Sequence, residues 1–218
     1  MGLLVEKGAK KAVQKRSQIT RDKIMQAMDE LLQVESFEVI NIAKLSTTAG
    51  VSAASIYQRF ENKDALISIL IALYIEKVRV WNEVAQNQPD VQSAENLREV
   101  LLRIALAAWR QFEALSYVMR PAYLYSRLRP ELLGGHWQAQ EKRALHGFEA
   151  MLNQWAGELA GRNIAQVAAM VSYFYNMMFL GKLMHNDAQS SWNLGLGAEE
   201  FAENLADFVM GYLEQGRR

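Results

Sequence analysis

Residues 41–66 read NIAKLSTTAGVSAASIYQRFENKDAL, and the fold is decided there. The stretch divides into two short helices, a tight turn at Ala49-Gly50-Val51 between them, and the start of another helix. A glycine at such a turn supplies the left-handed backbone that a sharp helix-to-helix junction needs. Ser52 follows at once, and its hydroxyl suits an N-cap that accepts from a free backbone N–H. Ile56 and Phe60 repeat at helical spacing, so the second helix has one buried face. Two helices joined in this way form a helix-turn-helix, which places its second helix in the DNA major groove.

Outward from that stretch, helical spacing recurs and no period-two strand pattern competes with it. A first helix over about Ser17–Glu35 carries Ile24, Ala27, Met28 and Leu31 as one stripe. Asn41 suits the N-cap of the second helix, which ends at Gly50, and the third covers about Ser52–Phe60. Met28, Leu31, Phe37, Val39, Leu45, Val51, Ile56 and Phe60 form the expected core of this bundle. Asn62 can cap a long fourth helix, followed by a loop around Pro89. Further helices carry Leu97/Leu101/Ile104/Ala108 and Leu145/Phe148/Leu152/Trp155/Leu159, with a short helix between bends over 116–130, where Pro121 and Pro130 fall. Gly134-Gly135 and Gly195-x-Gly197 read as helix breakers. Residues 164–185 are apolar around most of their circumference, and a last helix spans about 198–215. The expected fold class is all-α with about nine helices. A basic N-terminal arm (1–18) leads into a helix-turn-helix domain (19–66) and a larger helical domain (67–218).

Composition narrows the function classes. Half of the 218 residues are hydrophobic and none is cysteine, which excludes disulfides, thiolate metal sites and cysteine nucleophiles and fits a cytoplasmic protein. No uninterrupted hydrophobic run reaches the roughly 18 residues of a membrane span, so no membrane partner is expected. His136, His146 and His185 have no metal-ligand spacing, and no catalytic constellation or phosphate-cradling glycine loop appears, so neither enzyme activity nor a cofactor or metal is expected. Net charge is zero, but residues 1–25 hold seven basic residues against two acidic ones. One basic end on a near-neutral body is the footprint of a protein that grips DNA by that end. For residues 1–16 a solvated tail fits equally well.

The exposed side of the third helix offers Ala53, Ala54, Ser55, Gln58 and Arg59 to bases or backbone. The alanines can only pack, for instance on thymine methyls, so few side chains are left to discriminate bases. Asn41, Lys44, Thr48 and Ser52 sit near helix ends as phosphate candidates, although capping alone also explains Asn41 and Ser52. Lys63 lies at the start of the fourth helix, where free N–H groups favour an anion. In the last two helices, Ile164, Val167, Val171, Tyr173 and Met177 with Phe201, Leu205, Phe208 and Tyr212 give more apolar surface than one body needs. A homodimer interface is the expectation, with an intramolecular core as the alternative.

The N-terminal region also resembles the tetracycline-repressor (TetR) family. The resemblance rests on Arg21-x-x-Ile24-x-x-Ala27-x-x-x-Leu31, Phe37, Ala49-Gly50-Val51-Ser52, Ile56-Tyr57-x-x-Phe60 and Lys63-Asp64-x-Leu66, over roughly residues 19–66. Ser36, Leu45-Ser46, Ala54 and Arg59 depart from the usual pattern without breaking its hydrophobic spacing. The resemblance implies phosphate contacts by Tyr57 and Lys63, dimerisation through the last two long helices, and a small-molecule pocket after the fourth. Such a regulator, most often a repressor, binds a double-stranded operator of two-fold symmetry and is released by its effector. Trp81, Trp109, Phe112, Tyr117, Met119, Tyr123, Phe148, Met151, Trp155, Phe174, Tyr175 and Met178 are the pocket candidates, a set that suits an apolar or aromatic ligand. The competing expectation is an all-helical ligand-binding or interaction protein with a vestigial helix-turn-helix.

Overall fold

Helix caps set the local architecture. Asn41 Oδ1 accepts from Lys44 N at 2.9 Å and starts α2 (Ile42–Ala49). Gly50 ends it at φ 61°, with its N–H turned to the carbonyls of Ser46 and Thr47. Ser52 Oγ then accepts from Ser55 N at 3.2 Å and opens α3 (Ala53–Tyr57). In the computed structural model, which describes residues 2–60, 65–159 and 161–214, these helices follow α1 (Gly2–Leu32). They precede α4 (Ala65–Glu83), α5 (Leu97–Leu128), α6 (Gly134–Gln154), α7 (Ile164–Met184) and α8 (Ala198–Glu214). No strand occurs among the described residues, so the fold is all-α.

A Cβ added at Gly50 would meet nothing within 4 Å, so any substitution penalty there is conformational and not steric. Gly50→Val is expected to lower stability by about 1–3 kcal/mol in urea denaturation. Gly50→Asn should lose less than half of that, because Asn tolerates the left-handed region. Equal losses would show that backbone conformation is not the cause.

Several boundaries differ from the sequence expectation. The backbone of α1 is helical from Gly2, not from Ser17, so the basic segment continues the first helix. Its Ala, Leu, Lys and Gln residues are good helix formers and no proline interrupts them. α3 is shorter than expected, with Gln58 as its C-cap. The short helix expected over 116–130 does not exist as a separate element. α5 runs unbroken through Pro121, which leaves eight α-helices among the described residues. Leu115, Val118 and Ala122 around that proline are buried, and this packing outweighs one lost backbone bond. Gly134-Gly135 begin α6 instead of breaking a helix. Val39 is 55 % exposed and not core, because only Phe37 turns inward from the short 3-10 turn Phe37–Val39. The Asn62 cap lies outside the described residues.

The chain forms two compact units, Met1–Lys77 with Pro121–Leu133, and Val78–Arg120 with Gly134–Arg218. In the first, α1 packs on α2 and α2 on α3. Ile24, Met28, Leu45, Ile56 and Leu70 are fully buried. The α5 residues of this unit join it through ring contacts: Tyr125 meets Phe37 edge-on at 4.8 Å and Tyr123 meets Tyr74 at 5.8 Å. In the second, α7 packs against both α6 and α8. Leu97, Leu101, Leu152, Val171, Leu205 and Val209 form the centre of its core. Gly161 (φ 77°) and Asn163, whose side chain accepts from Gln166 N, mark the start of α7. Arg162 closes the end of α8 by donating to the Tyr212 carbonyl at 2.9 Å while stacking over that ring. By length and composition α7 could cross a membrane, contrary to the sequence expectation. Its Val167, Ala168, Val171 and Tyr175 face is instead buried in the core of this unit.

Candidate nucleic-acid interface and effector region

The α2–turn–α3 geometry separates a core face from an exposed face by helical spacing. Ile56 is fully buried, while Ala53, Ala54, Tyr57 and Gln58 are exposed and Ser55 is half-buried. Tyr57 is 48 % exposed, so its ring is not the half-buried core position that its spacing from the apolar residues also allowed. A hydroxyl on a rigid ring at the rim of the helix can donate to a phosphate.

Asn41 and Ser52 serve as caps, and Ser52 Oγ also shares a hydrogen bond with Ser55 Oγ at 2.9 Å. Thr48 is exposed. Lys44 pairs with Glu35, which holds the ammonium near the start of α2. Arg59 does not project freely: its Nη1 donates to the Ser55 carbonyl at 2.9 Å and its Nε to the Ser17 carbonyl at 3.4 Å. The guanidinium therefore caps the short α3 and ties it to α1, a role not visible in local spacing because Ser17 is 42 residues away. Lys63 lies outside the described residues. Lys15, Arg16, Arg21 and Lys23 are exposed along α1, so part of the positive charge sits on a helix surface.

In the second unit the aromatic candidates divide into groups. Trp109, Phe112, Met151 and Tyr175 are buried, whereas Trp81, Tyr117, Met119, Phe148, Trp155 and Phe174 are half-buried. Trp109 lies 6.5 Å from Phe112 and 5.3 Å from Phe201, and Phe148 lies 5.3 Å from Tyr175. The Tyr175 hydroxyl donates to the Leu101 carbonyl at 2.7 Å, and burial pushes its pKa far above the usual phenol value. Tyr175→Phe is expected to cost about 1 kcal/mol of stability, read by urea denaturation, without altering DNA binding. Tyr123 is not gathered with this set, since it packs in the first unit, and Met178 is exposed. Lys182, over the Trp109 ring, was missed; it is the one charged residue within the apolar 164–184 stretch.

The interface candidates also divide. Val167, Val171, Phe201 and Leu205 are buried in the chain's own core, because α6 and α8 already cover that side of α7. They are not open surface. Ile164 and Tyr212 are half-buried. Tyr173, Met177 and Phe208 are exposed, and Met170 and Met178 flank them. Phe174 packs edge-on against Phe208 at 5.2 Å and Tyr212 at 5.7 Å, which joins the α7 and α8 faces into one aromatic surface.

A capped, glycine-turned pair of short helices with one exposed face on the second has the geometry of a helix-turn-helix. Residues 24–68 match the sequence profile of the family described as bacterial regulatory proteins, tetR family. The match is confined to the helix-turn-helix region and its flanks, so residues 24–68 are similar to that family's DNA-binding domain. The chain's fold is similar to that of solved regulators across most of its length. The TetR-family regulator PfmR from Thermus thermophilus is 18 % identical, with 86 % of this chain and 97 % of that chain covered at a TM-score of 0.56. NalD, the secondary repressor of the MexAB-OprM multidrug efflux pump in Pseudomonas aeruginosa, is 15 % identical, with 90 % and 96 % covered at 0.54. The fatty acid degradation regulator FadR from Bacillus halodurans is 16 % identical, with 87 % and 97 % covered at 0.52. No curated protein sequence matches the chain.

Proposed function

We propose that the chain is a homodimeric repressor that occupies a two-fold symmetric DNA operator and is released by a small apolar or aromatic effector bound in its second unit. The observation that carries this reading is the exposed Ala53, Ala54, Tyr57 and Gln58 face of α3, held over the buried Ile56 by the Gly50 turn and the Ser52 cap. One such face makes too few contacts to select a site in a genome. Two copies held one helical repeat apart, or a multiple of it, read two half-sites. The exposed aromatic surface of α7 and α8 offers the means of holding them. An effector acts by binding more tightly to an arrangement of the two heads that fits the operator poorly.

Footprinting on fragments of the source genome tests the reading. One protected region with two symmetric half-sites is expected, and protection should fall steeply with added salt as phosphate contacts are lost. Absence of any protected region at low salt would overturn it. Tyr57→Ala should weaken operator binding about ten-fold, the size of one lost hydrogen bond to a charged phosphate. Its melting temperature should stay at the wild-type value, because the side chain is exposed. Unchanged affinity would remove Tyr57 from the interface.

A further inference from the structure

Two donors without partners meet at one indole in the second unit. Trp109 is 5 % exposed, and its Nε1 is buried with no hydrogen-bond partner among the described residues. Buried polar groups are ordinarily paired, and one left unpaired costs about 1–3 kcal/mol. Lys182 Nζ lies 3.7 Å from the centroid of the same ring and 5.6 Å from that of Phe112. It too has no hydrogen bond or ion pair among the described residues. Partial burial draws its pKa below the ordinary lysine value, and the charge of Glu113 opposes this in part. The ammonium is therefore partly stripped of water and lies over aromatic rings, with Glu113 acting on it through charge alone and no hydrogen bond.

The chemistry around these donors is one-sided. Phe112 and Phe201 flank Trp109, and Phe179 lies 5.3 Å from Phe201. The cluster thus presents one positive charge, one in-plane N–H and apolar walls drawn from α5, α7 and α8. A group that satisfies it must accept two hydrogen bonds, carry a single negative charge and continue into an apolar body. A carboxylate meets the first two conditions. A doubly charged phosphate would bury one charge uncompensated.

We propose that this cluster receives the carboxylate of an amphipathic organic acid, with Lys182 as countercharge, Trp109 Nε1 as directional donor and the three phenylalanines against the apolar body. The assignment rests on reading the second unit as an effector domain, and it names the effector class. Selection between acid and neutral analogue falls to Lys182. Trp109 adds affinity to any acceptor.

Calorimetric titration of the full chain with octanoate and 2-naphthoate, each against its primary amide, tests this. At least one acid should bind, and about ten-fold more tightly than its amide, the range of a hydrogen bond to a charged group. Lys182→Gln should bring the acid down to the affinity of the amide and leave the amide unchanged. Trp109→Phe should weaken both. Circular dichroism checks that the variants keep their helices, and Lys182→Met, which retains the stem over the ring, replaces Lys182→Gln should that variant unfold. Equal binding of acid and amide, binding of neither acid, or a preference that survives loss of Lys182 would overturn the assignment. Footprinting on the same protein separates the two readings. An operator footprint without acid binding defeats this assignment alone, whereas acid binding without a footprint supports the site and defeats the DNA-binding reading.

Discussion

Ile56→Ala should destabilise the protein by about 2–5 kcal/mol, a large share of the roughly 5–15 kcal/mol that holds a domain folded. Ile56 is fully buried, as are Leu45 and Met28 in the same unit. Removing three carbons there forfeits their transfer energy and leaves a cavity, because α3 is only five residues long and its ends are pinned. Ser52 caps one end, and Arg59 draws the other toward the Ser17 carbonyl. A helix held at both ends cannot slide inward to fill the void, which places the cost toward the upper part of the range. Operator binding should be lost before the second unit unfolds. Val39→Ala is the exposed control: the loss of two carbons instead of three at a 55 % exposed position should change stability by less than about 0.5 kcal/mol. Similar losses at both positions in urea denaturation would mean that burial is not what governs this unit.

The double substitution Tyr173→Glu with Phe208→Glu should convert a dimer to a monomer in analytical ultracentrifugation. The two rings are 59 % and 56 % exposed, and both touch Phe174, so they belong to one surface spanning α7 and α8. A two-fold interface uses the same patch on each copy, so each new carboxylate is buried twice. Desolvating four unpaired charges costs far more than the contacts they replace could return. Secondary structure should survive, since neither position is core. Operator affinity should fall by at least about 100-fold, because the second head is no longer delivered at high effective concentration. A dimer that persists in this variant would place the interface elsewhere.

What could be read from sequence followed from whether the governing chemistry was local. Asn41, Gly50 and Ser52 were legible as caps and turns because each acts on atoms within four residues of itself. Pro121 misled for the same reason: its local signal is to break a helix, and burial of Leu115, Val118 and Ala122 around it overrides that signal. Arg59 looked like a free reader of bases because Ser17 is distant in sequence. In the second unit, residue type was legible but grouping was not. Val167 and Tyr173 are both apolar positions of one helix, yet one is buried and the other open, because α6 and α8 cover a single side of α7. Lys182 drew no notice as a lone charge, and its meaning depends on an indole 73 positions earlier.

The continuity of α5 through Pro121 bears on how the protein can be cut and rejoined. Residues Pro121–Leu133 belong to the first unit although they follow 43 residues of the second. A fragment ending at Lys77 would therefore lack Tyr123 and Tyr125, leaving the rings of Tyr74 and Phe37 uncovered. Truncated heads of this kind should be prone to aggregate. Chimaeras that graft this head onto a relative's body need two segments transplanted together, with a splice inside a helix.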